Sequence, residues 1–302
     1  MSPEKFKVVS PESNYLKGWS HGRETFGGKP DVAKGSFYAN ILGDDYATSV
    51  DDENLRRKNP DFFFPNVWPT KTLPEFQEAF VRLGELVRDV GCLVAKLCDA
   101  YVSQQCPSYP EGKLEGIVRD SRHCMGRLLH YFACSQERKE GDGDDDDDIG
   151  NWCGWHNDHG SLTGLVPGMY LASSSGEEMP NPDPRSGLYV QTRSGRIQRV
   201  SLPAGSIGFQ IGETSQIHSG GVLRATPHAV KACRKSGVTR ESFAVFMEPE
   251  YHGDMDLPSS RTVQDVQDAS IVLPTCVQTL ADRWLPGMNF GEFGHATLAA
   301  FY

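Results

Sequence analysis

Nowhere in the 302 residues is there a run approaching 18 consecutive apolar side chains, so the sequence offers no membrane-spanning helix. Its beginning, MSPEKFKVVSPESNYLKGW, lacks the apolar centre of a signal peptide. Clusters of Lys and Arg are missing as well. With a formal net charge of −10, the chain is a poor candidate for gripping nucleic acid or an anionic membrane, because phosphate attraction needs such clusters. Its 8 cysteines form no CxxC pair and show no zinc-finger spacing. Without a secretion signal they read as reduced thiols, and the expected compartment is cytoplasmic. Solenoid-length repeats are also lacking.

What remains is an ordinary globular composition, 38% hydrophobic and 23% charged, in a chain long enough to bury a substantial core. The first sixty residues are rich in Gly, Pro, Asn and Asp and suggest loops and short strands such as GSFYANIL. From Leu73 the texture changes. Apolar residues at Phe76, Phe80, Leu83, Val87, Val90, Val94, Leu97 and Tyr101 step by three and four, the mark of one long amphipathic helix. It is too short in heptads for a coiled coil, and this stripe is expected to pack on a sheet. A second short helix and the strand GRLLHYFA follow. The run Gly141 to Asp148 then packs six aspartates into eight residues and reads as a solvated loop.

From Trp152 to Pro249 the chain reads as short strands separated by turns. SGLYVQTRSGRIQRVSL is a hairpin with Ser194-Gly195 at its turn, while SIGFQIG and SFAVFMEP are apolar enough to be buried strands. Helical patterns close the chain. This predicts a mainly β barrel or jelly roll, braced by a long helix and by C-terminal helices.

The chemistry concentrates in WHNDHGSLTGL. His156 and Asp158 stand two residues apart, and on a strand such residues share a face. An imidazole and a carboxylate hold a transition metal well only with a third ligand, which would complete the two-histidine, one-carboxylate set of non-haem iron. His218 in QIHSGG and His228 in RATPHAV compete for that place. Twelve residues after His228, Arg240 and Ser242 form a second i, i+2 pair whose guanidinium fork and hydroxyl suit a buried carboxylate. That pairing favours His228. His159 should point away from the metal, and Trp152, Trp155 and the DFFFPNVWP stretch read as packing residues.

Taken together, WHNDHGSLTGL, GLYVQTRSGRIQRVSLPAGSIGFQIGE, SGGVLRATPHAV and RESFAVFMEP resemble segments of the Fe(II)/2-oxoglutarate-dependent dioxygenase superfamily, in the plant-type branch that includes isopenicillin N synthase. Upstream, NVWPTKTLPEFQEAF and GWSHGRETFGGKPDVAKGSFY are similar to the same branch. The resemblance implies a double-stranded β-helix, a single dioxygenase-like domain over 1–302. Within it, 1–120 would supply N-terminal loops and helices without the family's usual first elements, 121–250 the jelly-roll core, and 251–302 a helical segment.

By position, the resemblance makes His156, Asp158 and His228 the iron ligands, and Arg240, Ser242 and Tyr131 the holders of 2-oxoglutarate. His218 becomes a pocket residue. Implied partners are dioxygen and a small organic molecule, hydroxylated or desaturated with release of succinate and carbon dioxide, with ascorbate in support. Two alternatives stay open. Isopenicillin N synthase carries Arg-x-Ser without consuming 2-oxoglutarate, so a same-fold oxidase is one; a silent barrel that only binds is the other.

Overall fold

The computed structural model describes residues 8–26, 29–134, 149–268, 272–274 and 276–299. The acidic run 141–148 lies outside them. Strands β1 (Gly18–His21), β2 (Thr25–Phe26), β3 (Lys29–Pro30) and β4 (Lys34–Asn40) come first. The stretch that suggested only loops and strands also holds two short helices, α1 (Asp45–Ser49) and α2 (Glu53–Lys58), and the first residue of a third, α3 (Pro60–Phe63). Asp52 caps α2 by accepting from the Leu55 amide, and Pro60 opens α3, the first-turn position where proline loses no hydrogen bond. The long helix α4 (Phe76–Gln105) and α5 (Lys113–Asp120) lead into β5 (Cys124–Tyr131).

The expected succession of short strands follows: β6 (Cys153–His156), β7 (Leu162–Leu165), β8 (Met169–Ala172), β9 (Glu178–Met179), β10 (Gly187–Gln191), β11 (Ile197–Arg199) and β12 (Gly208–Ile211). Helix α6 (Glu213–His218) interrupts it before β13 (His228–Lys231) and β14 (Val238–Met247). Helices α7 (Val263–Gln267) and α8 (Phe290–Leu298) close the described chain, both with capping boxes. No helix among the described residues is long and apolar enough to cross a membrane.

The strand pairings are antiparallel throughout the described residues. One sheet runs β1-β4-β5-β14-β7-β12, with β8 and β9 joined alongside β14; the other runs β11-β10-β13-β6. Strand β14 shows how they are organised. Phe243, Val245 and Met247 on one face join the core beneath α4, while Arg240, Ser242, Ala244 and Phe246 on the other line a cavity. On that second face, Leu129, Tyr131 and Ala244 of the large sheet share a core with Cys153 and Val230 of the small one.

Helix α4 packs on the core with only part of the face its sequence advertises, namely Phe76, Phe80, Val87 and Val94. Its buried residues are Phe80, Gly84, Val87, Gly91, Ala95, Asp99 and Val102, whereas Leu83, Leu97 and Tyr101 of the expected stripe are exposed. Close approach explains the choice. A Cβ on Gly84 would stand 2.5 Å from Ile41, and one on Gly91 2.5 Å from the Met247 sulfur. Glycines therefore let helix and sheet touch backbone to side chain, and a leucine face could not.

Candidate metal centre

Strands β6 and β13 pair so that His156 and His228 stand directly opposite each other. Their rings lie 4.2 Å apart, centroid to centroid. The expectation that Asp158 shares a strand face with His156 needs correction, because β6 ends at His156. Asp158 instead lies in the link to β7, which the start of α6 holds in place. The Glu213 amide donates to the Asp158 carbonyl at 2.8 Å, and the Thr214 hydroxyl donates to the His159 carbonyl at 2.7 Å. Gly212 makes this possible: a Cβ there would stand 2.0 Å from the Gly160 carbonyl oxygen.

The result is a convergent donor set. Asp158 Oδ1 is 3.9 Å from His156 Nε2 and 3.7 Å from His228 Nε2, and one ligand atom from each residue falls within 4.8 Å of the others. Each imidazole is oriented from behind. His156 Nδ1 is 2.8 Å from the Gly154 carbonyl, and His228 Nδ1 is 3.1 Å from that of Thr226. Carbonyls only accept, so both Nδ1 atoms carry the proton and both Nε2 lone pairs face Asp158.

Protonation agrees with that geometry. Burial lowers His228 to about 4, helped by its closeness to His156, and burial likewise lowers His156. Burial alone would raise Asp158; His228 and His156 oppose it only once they take up a proton, and that leaves Asp158 below the ordinary carboxyl range. Two neutral nitrogens and one carboxylate are what a divalent transition metal requires. Gln210 completes the surroundings: its Nε2 donates to Asp158 Oδ2 at 3.3 Å, while its buried Oε1 has no protein partner.

Arg240 and Ser242 lie beside this set. They line the cavity of about 340 Å³ onto which His156, Asp158 and His228 also open. Arg240 is buried, donates to Ser242 Oγ at 3.3 Å, and stands 5.0 Å over the ring of Tyr131, its cross-strand neighbour. Gly168 gives the guanidinium its room, since a Cβ there would meet Arg240 Nε at 2.4 Å.

No family model matches the chain. A Dictyostelium discoideum protein named a probable iron/ascorbate oxidoreductase is 23% identical over 264 residues, which are 82% of this chain and 64% of that protein. The chain thus spans under two thirds of the length of this curated relative. The crystal structure of a 2OG-Fe(II) oxygenase family protein from Caulobacter crescentus superposes with a TM-score of 0.64 at 20% identity, covering 99% of this chain and 80% of that one. A full-length Neurospora crassa protein, crystallised in complex with alpha-KG and thymine, gives 0.56 at 19% identity, covering 99% and 79%. The fold is that of the 2OG-Fe(II) oxygenases.

Within this oxygenase fold, His218 stands apart from the triad. It is buried at the end of α6 with Nε2 2.8 Å from the Asp254 carbonyl, and it lines neither cavity that touches the triad. His159 is not among the convergent ligand atoms; its ring stacks on Phe290 at 5.8 Å with Nε2 3.5 Å from Glu248. Sequence reasoning missed Gln210, and it missed a second cavity of about 160 Å³ that also touches His156 and Asp158. Phe62, Met125 and Phe246 make that cavity largely apolar, while His123, Asn157, Arg127 and Glu248 are among the polar residues that line it. Burial raises Glu248 to about 8, reinforced by the charge of Asp158 and opposed by Lys17. Its place in MEPE, just past a strand, gave no sign of burial.

Proposed function

We propose that the chain is a non-haem Fe(II)- and 2-oxoglutarate-dependent oxygenase that oxidises a small organic molecule and releases succinate and carbon dioxide. One observation carries the reading: two neutral imidazoles and a carboxylate converge on one point at the wall of a cavity that also presents Arg240 and Ser242. In this reading His156, Asp158 and His228 hold Fe(II), which supplies activation of dioxygen coupled to oxidative decarboxylation of the 2-oxo acid.

The protein's own part is positioning. Arg240 and Ser242 take the far carboxylate of 2-oxoglutarate, the guanidinium through its fork and the hydroxyl as a further donor. Tyr131 keeps the guanidinium in place through its ring face. The carbonyls of Gly154 and Thr226 fix both imidazoles before any ligand arrives, so little reorganisation is needed on loading. The second cavity, which touches His156 and Asp158, is the place for the substrate, and its volume suits a small, largely apolar molecule. The same reading takes the two sheets with their shared core as a double-stranded β-helix within one domain. It assigns the chain to the plant-type branch on its motifs and gives ascorbate a supporting role.

Anaerobic titration of the protein with Fe(II) and 2-oxoglutarate tests this. The expected result is the weak visible metal-to-ligand charge-transfer band, lost in His228→Ala, with succinate formed on admitting oxygen. Iron bound without the band would favour a same-fold oxidase that does not consume 2-oxoglutarate. No iron at all would leave a silent barrel.

A further inference from the structure

The leucines that α4 does not bury form a pattern of their own. Leu83, Leu86, Val90, Leu93, Leu97 and Ala100 follow one another by alternate steps of three and four, the a and d positions of a heptad repeat. Leu86 is 54% exposed, Leu93 65% and Leu97 71%, and Tyr101 beside them is 51% exposed. From Leu83 to Ala100 the stripe runs about 26 Å along the helix, at 1.5 Å per residue. An apolar strip of that length, flanked by the exposed charges Arg82, Asp89 and Lys96, marks a contact surface.

We propose that this stripe joins a second copy of the chain, α4 against α4 in antiparallel order about a two-fold axis. The flanking charges choose the occupant and the register. Arg82, Asp89 and Lys96 are exposed and stand one residue before each a position, along one edge of the stripe. When two copies align with Leu86 facing Leu97, Val90 facing Leu93 and Leu83 facing Ala100 of the second copy, every layer is apolar. Asp89 then stands opposite Lys96 of the second copy, and the two-fold axis repeats the pair.

Sliding the register by one heptad places Asp89 against Asp89 and Arg82 against Lys96, which repels. A parallel pair sets Asp89 and Lys96 against the other edge, where Val87, Val94 and Tyr101 carry no charge. The sequence of one helix thus complements itself in a single antiparallel alignment, as an isologous dimer interface requires.

Sedimentation equilibrium of the whole protein across a dilution series provides the test, with circular dichroism as a check that each variant is folded. The wild type is expected to be a dimer, and Leu93→Glu with Leu97→Glu a folded monomer, because these side chains take no part in the core. Asp89→Lys alone is expected to weaken dimerisation about tenfold, since two symmetry-related pairs turn repulsive together. Adding Lys96→Asp to Asp89→Lys restores opposite charges and is expected to recover the wild-type affinity. A wild-type monomer at every concentration overturns the proposal. So does a dimer indifferent to the leucine variants, or one that Asp89→Lys weakens without recovery in the double swap.

Discussion

Asp158 Oδ1 and His228 Nε2 lie 3.7 Å apart, although seventy positions separate the two residues and only one of them sits on a strand. A buried carboxylate beside a buried imidazole lowered to about 4 is an anion that nothing in the pair neutralises. A divalent metal removes that cost. We expect His228→Ala and His156→Ala each to abolish stoichiometric Fe(II) binding, measured anaerobically by metal analysis after desalting. Succinate formation persisting in either variant would refute the ligand assignment.

Arg240 supplies the second prediction. Arg240→Lys keeps a positive charge but loses the planar fork and the stacking over Tyr131. The concentration of 2-oxoglutarate needed for half-maximal succinate release should rise about 10- to 100-fold, the size of one lost charge-assisted hydrogen bond. Gly168→Ala should act in the same direction without touching a polar group, because its methyl displaces the guanidinium. An unchanged requirement in both variants would show that the carboxylate is held elsewhere.

The triad and the Arg240–Ser242 pair were legible as one cluster because chemistry dictates residue type, and their order along the chain survives in short motifs. Hairpin and strand signals around Gly195 and in SFAVFMEP were legible for a similar reason, since turn residues and apolar alternation act locally. The buried face of α4 was legible only in part, in Phe76, Phe80, Val87 and Val94. Hydropathy favours its leucines, but contact with Ile41 and Met247 selects Gly84 and Gly91, a choice that depends on a partner surface far away in sequence. Asp158 reaches the triad by a different geometry from the one its spacing suggests. The backbone amide of Glu213, not strand pleating, brings it there, and an amide leaves no trace in residue identity.

His218 makes stability depend on pH. Burial lowers it from 6.5 to about 4, so between those values the unfolded chain binds a proton that the folded chain refuses. Its contribution is therefore complete above pH 6.5 and is lost progressively as pH falls toward 4. The full loss is on the order of 3 kcal/mol for a shift of this size. We expect the urea midpoint of His218→Gln to fall less between pH 7 and pH 4.5 than that of the wild type. Parallel curves for the two proteins would exclude His218 as the source.

The last prediction concerns a buried ion pair remote from the triad in sequence but tied to it by hydrogen bonds. Arg283 donates through Nη1 and Nη2 to the two Glu213 oxygens at 2.9 and 2.7 Å, and through Nη1 to Thr297 on α8. Glu213 also accepts from Asn157, the residue between two of the triad members, and its backbone amide holds Asp158. Replacing Arg283 with Met leaves the Glu213 carboxylate buried without its counter-charge, a loss of roughly 3–5 kcal/mol for pairs of this kind. The double variant Arg283→Met with Glu213→Leu removes the orphaned charge and should regain much of that stability. If Glu213 serves only the fold, iron affinity should return along with the melting temperature. If its side chain also steadies the ligand segment through Asn157, the double variant should melt near the wild type yet bind Fe(II) more weakly, because Asn157 has lost its acceptor. Measuring melting temperature and anaerobic Fe(II) affinity on the same three proteins separates the two roles.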